Sequence, residues 1–230
     1  MAKKEYTPSC ATCGIELAER ICFAKEGKGG KGCPTLTKKE IIEKANENYK
    51  DKDIWEFARQ ASIQEAECYA NRDQTPYIVQ PQKTRIVEIC EFSRKMGYKR
   101  LGLAFCVGLA REAEIVHDVF TLQGFEVVSA LCKAGKTPKE FIGITDEQKV
   151  RRGTNENMCN PIVQATLFNE EKTDFNVLLG LCVGHDSLFF KYTEAPTTVL
   201  AVKDRVTGHN PLAAIYLSHS YYRKIKTKGM

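Results

Sequence analysis

Ten cysteines in 230 residues constrain this chain more than any other feature of it. Its first residues, Met1-Ala2-Lys3-Lys4-Glu5-Tyr6-Thr7-Pro8, lack the apolar stretch of a secretory leader, so a cytoplasmic location is expected. Thiols there are kept reduced, which argues against a disulfide framework. Reduced cysteines in this number point to metal, because thiolates suit zinc and iron–sulfur clusters. Burial as small apolar side chains accounts for one or two of them, not for ten.

The remaining composition, 43% hydrophobic and 27% charged, is that of an ordinary globular protein and excludes a disordered or collagen-like chain. No apolar run approaches the roughly 18–20 residues of a membrane span. The net charge of +5 is spread along the chain and reads as a solvated surface, so nucleic-acid binding is disfavoured.

The cysteines fall into three sets. Cys10, Cys13, Cys22 and Cys33 lie in a segment, residues 1–35, whose run Lys28-Gly29-Gly30-Lys31-Gly32 can bury little. A metal would have to order it. The spacing C-x2-C-x8-C-x10-C matches neither the bacterial ferredoxin run nor the usual zinc ribbon, so zinc and a [4Fe–4S] cluster both stay open there. Cys68 and Cys90 sit inside helical patterns and read as core thiols. Cys106, Cys132, Cys159 and Cys182 are spread through the rest of the chain.

Residues 36–82 form a largely helical connector region. Thr37 and Glu40 have the spacing of a capping box, and a break is expected near Asp51–Asp53. From Lys83 to the C-terminus helices and strands alternate. Ile86, Val87, Cys90 and Ser93 share a helical face, and Gly97 ends that helix. Strands are expected over 101–105, 125–131, 175–181 and 197–202. Helices are expected over 109–122, 161–171 and 211–221, the second opening on Pro161. This order predicts an α/β body, 83–230, with a mostly parallel sheet. The stretch Gly102-Leu103-Ala104-Phe105-Cys106-Val107-Gly108 is echoed by Leu179-Gly180-Leu181-Cys182-Val183-Gly184. Two related βαβ halves follow, with Cys106 and Cys182 in equivalent places.

Ligands of open α/β sheets sit beyond the carboxyl ends of the strands. Cys106, Cys132 and Cys182 are expected at that edge, and Cys159 opens a helix through Cys159-Asn160-Pro161. Helix N-termini there favour thiolate charge. Gly108 and Gly184 are expected to let backbone approach a bulky cofactor. The four thiols are therefore expected to converge on one centre. His185 and Asp186 follow Cys182 and are the candidate catalytic residues, His185 as a proton donor. Gly135-Lys136-Thr137 is not a phosphate loop, since Ala130 stands where that motif needs glycine.

These stretches, with Met158-Cys159-Asn160-Pro161, Val202-Lys203-Asp204-Arg205-Val206, His209-Asn210-Pro211 and the four N-terminal cysteines, resemble an uncharacterised metal-binding family found largely in anaerobic bacteria and archaea. The likeness covers nearly the whole chain. It implies metal binding and an anaerobic source, and supplies no reaction.

The expected function is that of an iron–sulfur protein, with a [4Fe–4S]-type cluster in the body and a second centre, iron–sulfur or zinc, at the N-terminus. Electron transfer with a redox partner protein suits such a pair, as does Lewis-acid chemistry at an iron left open. The alternatives are a zinc-stabilised binding module without redox activity and a metal or cluster carrier. Whether the chain is an enzyme stays open, and self-association is allowed. Deleting residues 1–35 is expected to leave the body folded with its own metal. Iron content and circular dichroism of the truncation check this, and joint loss of iron and fold would show one structural unit.

Overall fold

Runs of five or six residues rich in aliphatic side chains form the strands of this protein. The computed structural model describes residues 6–230; residues 1–5, the start of the N-terminal stretch Met1–Pro8, lie outside them. The chain divides into two compact units, Met1–Ile63 and Gln64–Met230.

The first unit holds short helices α1 (Pro34–Thr37) and α2 (Lys39–Asn46), and most of α3 (Lys52–Glu67). The capping box expected at Thr37 does not form. Pro34 starts a short turn of helix instead, and the Thr37 hydroxyl donates to the Cys33 carbonyl at 2.9 Å. The break near Asp51 is present: its Oδ1 accepts from the N–H groups of Asp53 (2.9 Å) and Ile54 (3.1 Å), capping α3. None of the described residues up to Ile63 is buried.

The second unit contains α4 (Arg85–Lys95), β1 (Arg100–Phe105), α5 (Ala110–Leu122), β2 (Glu126–Leu131), α6 (Pro161–Glu170), β3 (Phe175–Leu179), α7 (His185–Tyr192), β4 (Thr197–Ala201) and α8 (Leu212–Tyr216). The four strands form one all-parallel sheet in the order β2-β1-β3-β4. Two βαβ units, β1-α5-β2 and β3-α7-β4, thus stand side by side with β1 and β3 central. The mixed α/β architecture expected from the sequence is observed. The last helix is shorter than expected, with turns and a short 3₁₀ segment (Arg223–Lys226) after it.

Period-2 alternation places Ala104, Cys106, Ala130 and Cys132 on one face, against Ala165 and Phe168 of α6 and Phe189 of α7. The small alanines let α6 lie close to the sheet. Phe168 and Phe189 meet edge to face, with ring centroids 5.8 Å apart. On the other face Phe92 of α4 packs on Phe175 at 5.7 Å. The buried residues of α4 are Ile89, Cys90, Phe92 and Ser93; Val87 is exposed, so the core face is rotated from the one expected. Cys90 and Ser93 of the expected face are buried, and Ile89 and Phe92 take the places beside them expected of Ile86 and Val87.

Gly102 faces α6, where an added Cβ would lie 2.1 Å from Asn176 Oδ1 and 2.6 Å from the Phe168 ring. Asn176 is fully buried and engaged by Thr173 and Thr193, so it cannot swing away. Gly102→Ala is therefore expected to destabilise the body by about 1–3 kcal/mol through overpacking, measured by chemical denaturation.

Candidate functional site

Three segments distant in sequence meet beyond the carboxyl edge of β1 and β2. The parallel register pairs Phe105 with Leu131, and the Cys132 N–H donates to the Phe105 carbonyl at 2.9 Å, so Cys106 and Cys132 follow side by side. Asn160 then returns the chain to the same place: its N–H donates to the Cys132 carbonyl at 2.8 Å. Its side chain caps α6 by accepting from the Val163 N–H at 3.1 Å, and Pro161 supplies the first helical turn. Cys159 is thereby delivered to Cys132. Beneath the thiols, fully buried Gln164 donates to the carbonyls of Ala130 (2.7 Å) and Phe105 (3.3 Å).

Cys132, the deepest, stands between Cys106 and Cys159, close enough for each to act on its thiol. These contacts and burial hold it protonated, well above the ordinary thiol range, although the Val107 N–H reaches its Sγ at 3.3 Å. Cys106 is pushed down, first by the Cys132 thiol, then by the Gly108 N–H and the Lys203 ammonium. Cys159 is pushed down by the Cys132 thiol and next by His185, whose own pKa is raised by the contact with Cys159.

An open cavity of about 720 Å³ lies over this row, lined among others by Cys106, Cys159, Cys182, His185, Lys133 and Arg205. Ile142, Ile144 and Val150 add an apolar wall from the long loop between β2 and α6. That loop is closed by backbone bonds from Lys139 to Glu156 (3.0 Å) and from Met158 to Thr137 (2.8 Å). Cys182 is not the structural equivalent of Cys106. The register sets Phe105 opposite Leu179, which leaves Cys106 level with Gly180 and Cys182 two residues further out. There the Arg205 guanidinium donates to Cys182 Sγ at 3.1 Å.

The other expected site residues are placed as follows. Asp186 serves the start of α7, its Oδ1 accepting from the N–H groups of Gly184 (3.0 Å) and Ser187 (2.8 Å). A Cβ on Gly108 would make only ordinary contact with Lys203, and one on Gly184 would meet open space. Gly180 is the crowded glycine: its φ is +68°, and a Cβ would lie 2.1 Å from Leu109. Cys68 donates to the Gln64 carbonyl at 3.0 Å, Cys90 is buried, and burial raises both thiols.

In the first unit Cys10, Cys13, Cys22 and Cys33 all line one cavity of about 390 Å³. The chain is knitted around it by bonds from Ser9 to Gly32 (3.1 Å), Ile21 to Lys28 (2.9 Å) and Lys28 to Glu19 (2.8 Å). Arg20 braces it by donating to the carbonyls of Ile15 (2.8 Å) and Cys13 (3.2 Å). Among the described residues, no three or more His, Cys, Asp or Glu side chains are grouped so as to hold a metal ion as they stand. No helix among them is long and apolar enough to cross a membrane.

Residues 33–200 match the family described as "Protein of unknown function (DUF1847)". The chain belongs to this family. It is also 39% identical to the uncharacterised protein MJ0455 of Methanocaldococcus jannaschii over 220 residues, 96% of this chain and 98% of that one. The stretch matched to DUF1847 takes in Cys106, Cys132, Cys159, Cys182 and His185.

Lys133 and Gln164 carried no expected role, whereas Lys203 and Arg205 were expected only as polar groups after the fourth strand, in a loop lining the same crevice, where both stand. The pairing of Cys132-Lys133 with Val202-Lys203 at the ends of β2 and β4 was the visible signal for the two lysines. The loop wall yields a pH prediction. Glu156 is pulled down to about 2 by Lys139 at 2.7 Å and by the Arg151 N–H at 3.1 Å. A depressed carboxylate stabilises the fold fully above its unfolded pKa, about 4.3, and that stabilisation is lost as pH falls towards the folded value. Proteolytic cutting in 139–156 by an acid-active protease is expected to rise from pH about 4.3 downward. Glu156→Gln should be cut more readily than the wild type at neutral pH by a neutral protease.

Proposed function

We propose that this is a cytoplasmic metal protein of an anaerobe. In this reading a [4Fe–4S]-type cluster sits on Cys106, Cys132, Cys159 and Cys182. A second centre, iron–sulfur or zinc, sits on Cys10, Cys13, Cys22 and Cys33. The observation that carries it is the meeting of thiols from three separate segments at the sheet edge, with a fourth thiol in the same crevice. Core cysteines acting as space-fillers have no physical cause to collect in one place beside cations.

The donor set fits thiolate ligation. Metal binding needs deprotonated sulfur, and the surroundings supply compensation for its charge. Lys203 and the Gly108 N–H support Cys106, His185 supports Cys159, the Val107 N–H supports Cys132, and Arg205 supports Cys182. Ligation replaces the thiol–thiolate contacts and releases protons, so uptake strengthens as pH rises. A bound cluster supplies one-electron transfer, or Lewis acidity at an iron without a protein thiolate. The apolar loop wall limits solvent on one side of the crevice, and its open side suits a redox partner protein.

A metal of either kind at the N-terminal centre is supported by one observation: the described part of that unit has no buried side chain, so little but a metal can order it. A colourless protein with stoichiometric zinc would instead support a binding module, and ready transfer of metal to an apo acceptor a carrier. Anaerobic purification with iron, sulfide and zinc analysis is the test. A brown protein absorbing near about 400 nm is expected. Cys106→Ala and Cys159→Ala should each lower iron per chain and bleach the spectrum. Cys90→Ala should keep the colour and cost about 1–2 kcal/mol of packing. Bleaching by Cys90→Ala alone would overturn the assignment.

A further inference from the structure

We infer that Cys106 and Cys132 also form a dithiol–disulfide couple, which exchanges electrons with a low-molecular-weight disulfide entering the crevice. The inference rests on backbone register and on depth. In-register residues of neighbouring parallel strands have Cα atoms about 4.8 Å apart and side chains on the same face. Cys106 and Cys132 continue that register by one residue, and the Cys132-to-Phe105 backbone bond holds it. A disulfide needs Cα atoms within about 4.4–6.8 Å. The two thiols also share the packed cluster under α6, which keeps both sulfurs on one face of the sheet.

Access divides the roles. Cys106 lines the cavity and also a smaller opening beside Lys203 and His209, whereas Cys132 lines neither. The sulfur that meets an incoming disulfide is therefore Cys106, and the one that resolves is Cys132. The Cys106 thiolate attacks one sulfur of R–S–S–R, forming a mixed disulfide and expelling one R–S⁻. Cys132 loses its proton and attacks the Cys106 sulfur, closing the protein disulfide and expelling the second R–S⁻. The protein gives up two electrons and the Cys132 proton, and the small disulfide leaves as two thiolates, which take up that proton and one from solvent according to pH. A disulfide at these sulfurs and a metal on them exclude each other, so the chemistry belongs to the chain without bound metal and holds whether or not the body takes a cluster.

The test uses the full chain, stripped with a chelator and equilibrated with oxidised glutathione, then alkylated, digested with trypsin and mapped by mass spectrometry. The expected product joins residues 101–111 to residues 112–133 with the loss of two hydrogens. It should be absent from Cys106→Ser and Cys132→Ser, and retained in Cys159→Ser and Cys182→Ser. Cys132→Ser should instead accumulate glutathione on Cys106, which keeps the inference testable if another variant misfolds. A bond from Cys132 to Cys159, full alkylation of both thiols, or glutathione on Cys106 of the wild type without internal closure would each overturn it.

Discussion

The amide of Gln164 donates to a carbonyl near the carboxyl end of each of two neighbouring strands, and the arrangement around the thiols depends on it. A buried amide is costly unless it is hydrogen-bonded, so its position is tightly specified. With Gln164 bound to Phe105 and Ala130, α6 can start only at the carboxyl edge of β1 and β2. Its start brings Cys159 to Cys132. Small side chains at Ala104, Ala130 and Ala165 make the close approach of helix to sheet feasible. The thiol row is thus a consequence of ordinary packing of one helix across two parallel strands.

Gathering ionisable sulfur in a half-buried place carries an electrostatic cost that the site offsets locally. The inner thiol keeps its proton, and the outer two are each matched by a cation or an N–H group. The second unit can hold such groups in place because aromatic and aliphatic residues pack on both faces of its sheet. The first unit has no comparable core among its described residues, and its cysteines line a cavity held by backbone bonds and Arg20. The two cysteine sets therefore stand in opposite physical settings.

The two βαβ units are alike in topology and differ in chemistry. At the edge of the first, β1 and β2 are followed by Cys106 and by Cys132-Lys133. In the second, Gly180 takes the level of Cys106, its positive φ bends the chain away, and Cys182 falls further out beside Arg205. Lys203 after β4 reaches back to Cys106 across the join between the halves. Cations of one half serve thiols of the other, which gives the crevice an inner thiol row and an outer, separately supported thiol.

The sequence by itself determined the strands, the βαβ order and the parallel sheet. Those rest on local periodicity and on glycine and proline punctuation, as at Gly97, Gly124 and Pro161. It also placed Cys106, Cys132 and Cys159 near one edge, since strand ends and helix starts alternate across an α/β sheet. Register could not be read this way, because the repeated Cys-Val-Gly motif made Cys106 and Cys182 look equivalent while pairing shifts them by two residues. Nor could the rotation of α4 be read, where Val87 and Ile89 are both apolar and only packing selects between them. Which groups face the thiols was decided by tertiary structure alone. Lys203, His185 and Gln164 come from elements far apart in the chain, and only their packing at one edge brings their polar atoms within reach of sulfur or of the carbonyls beneath it.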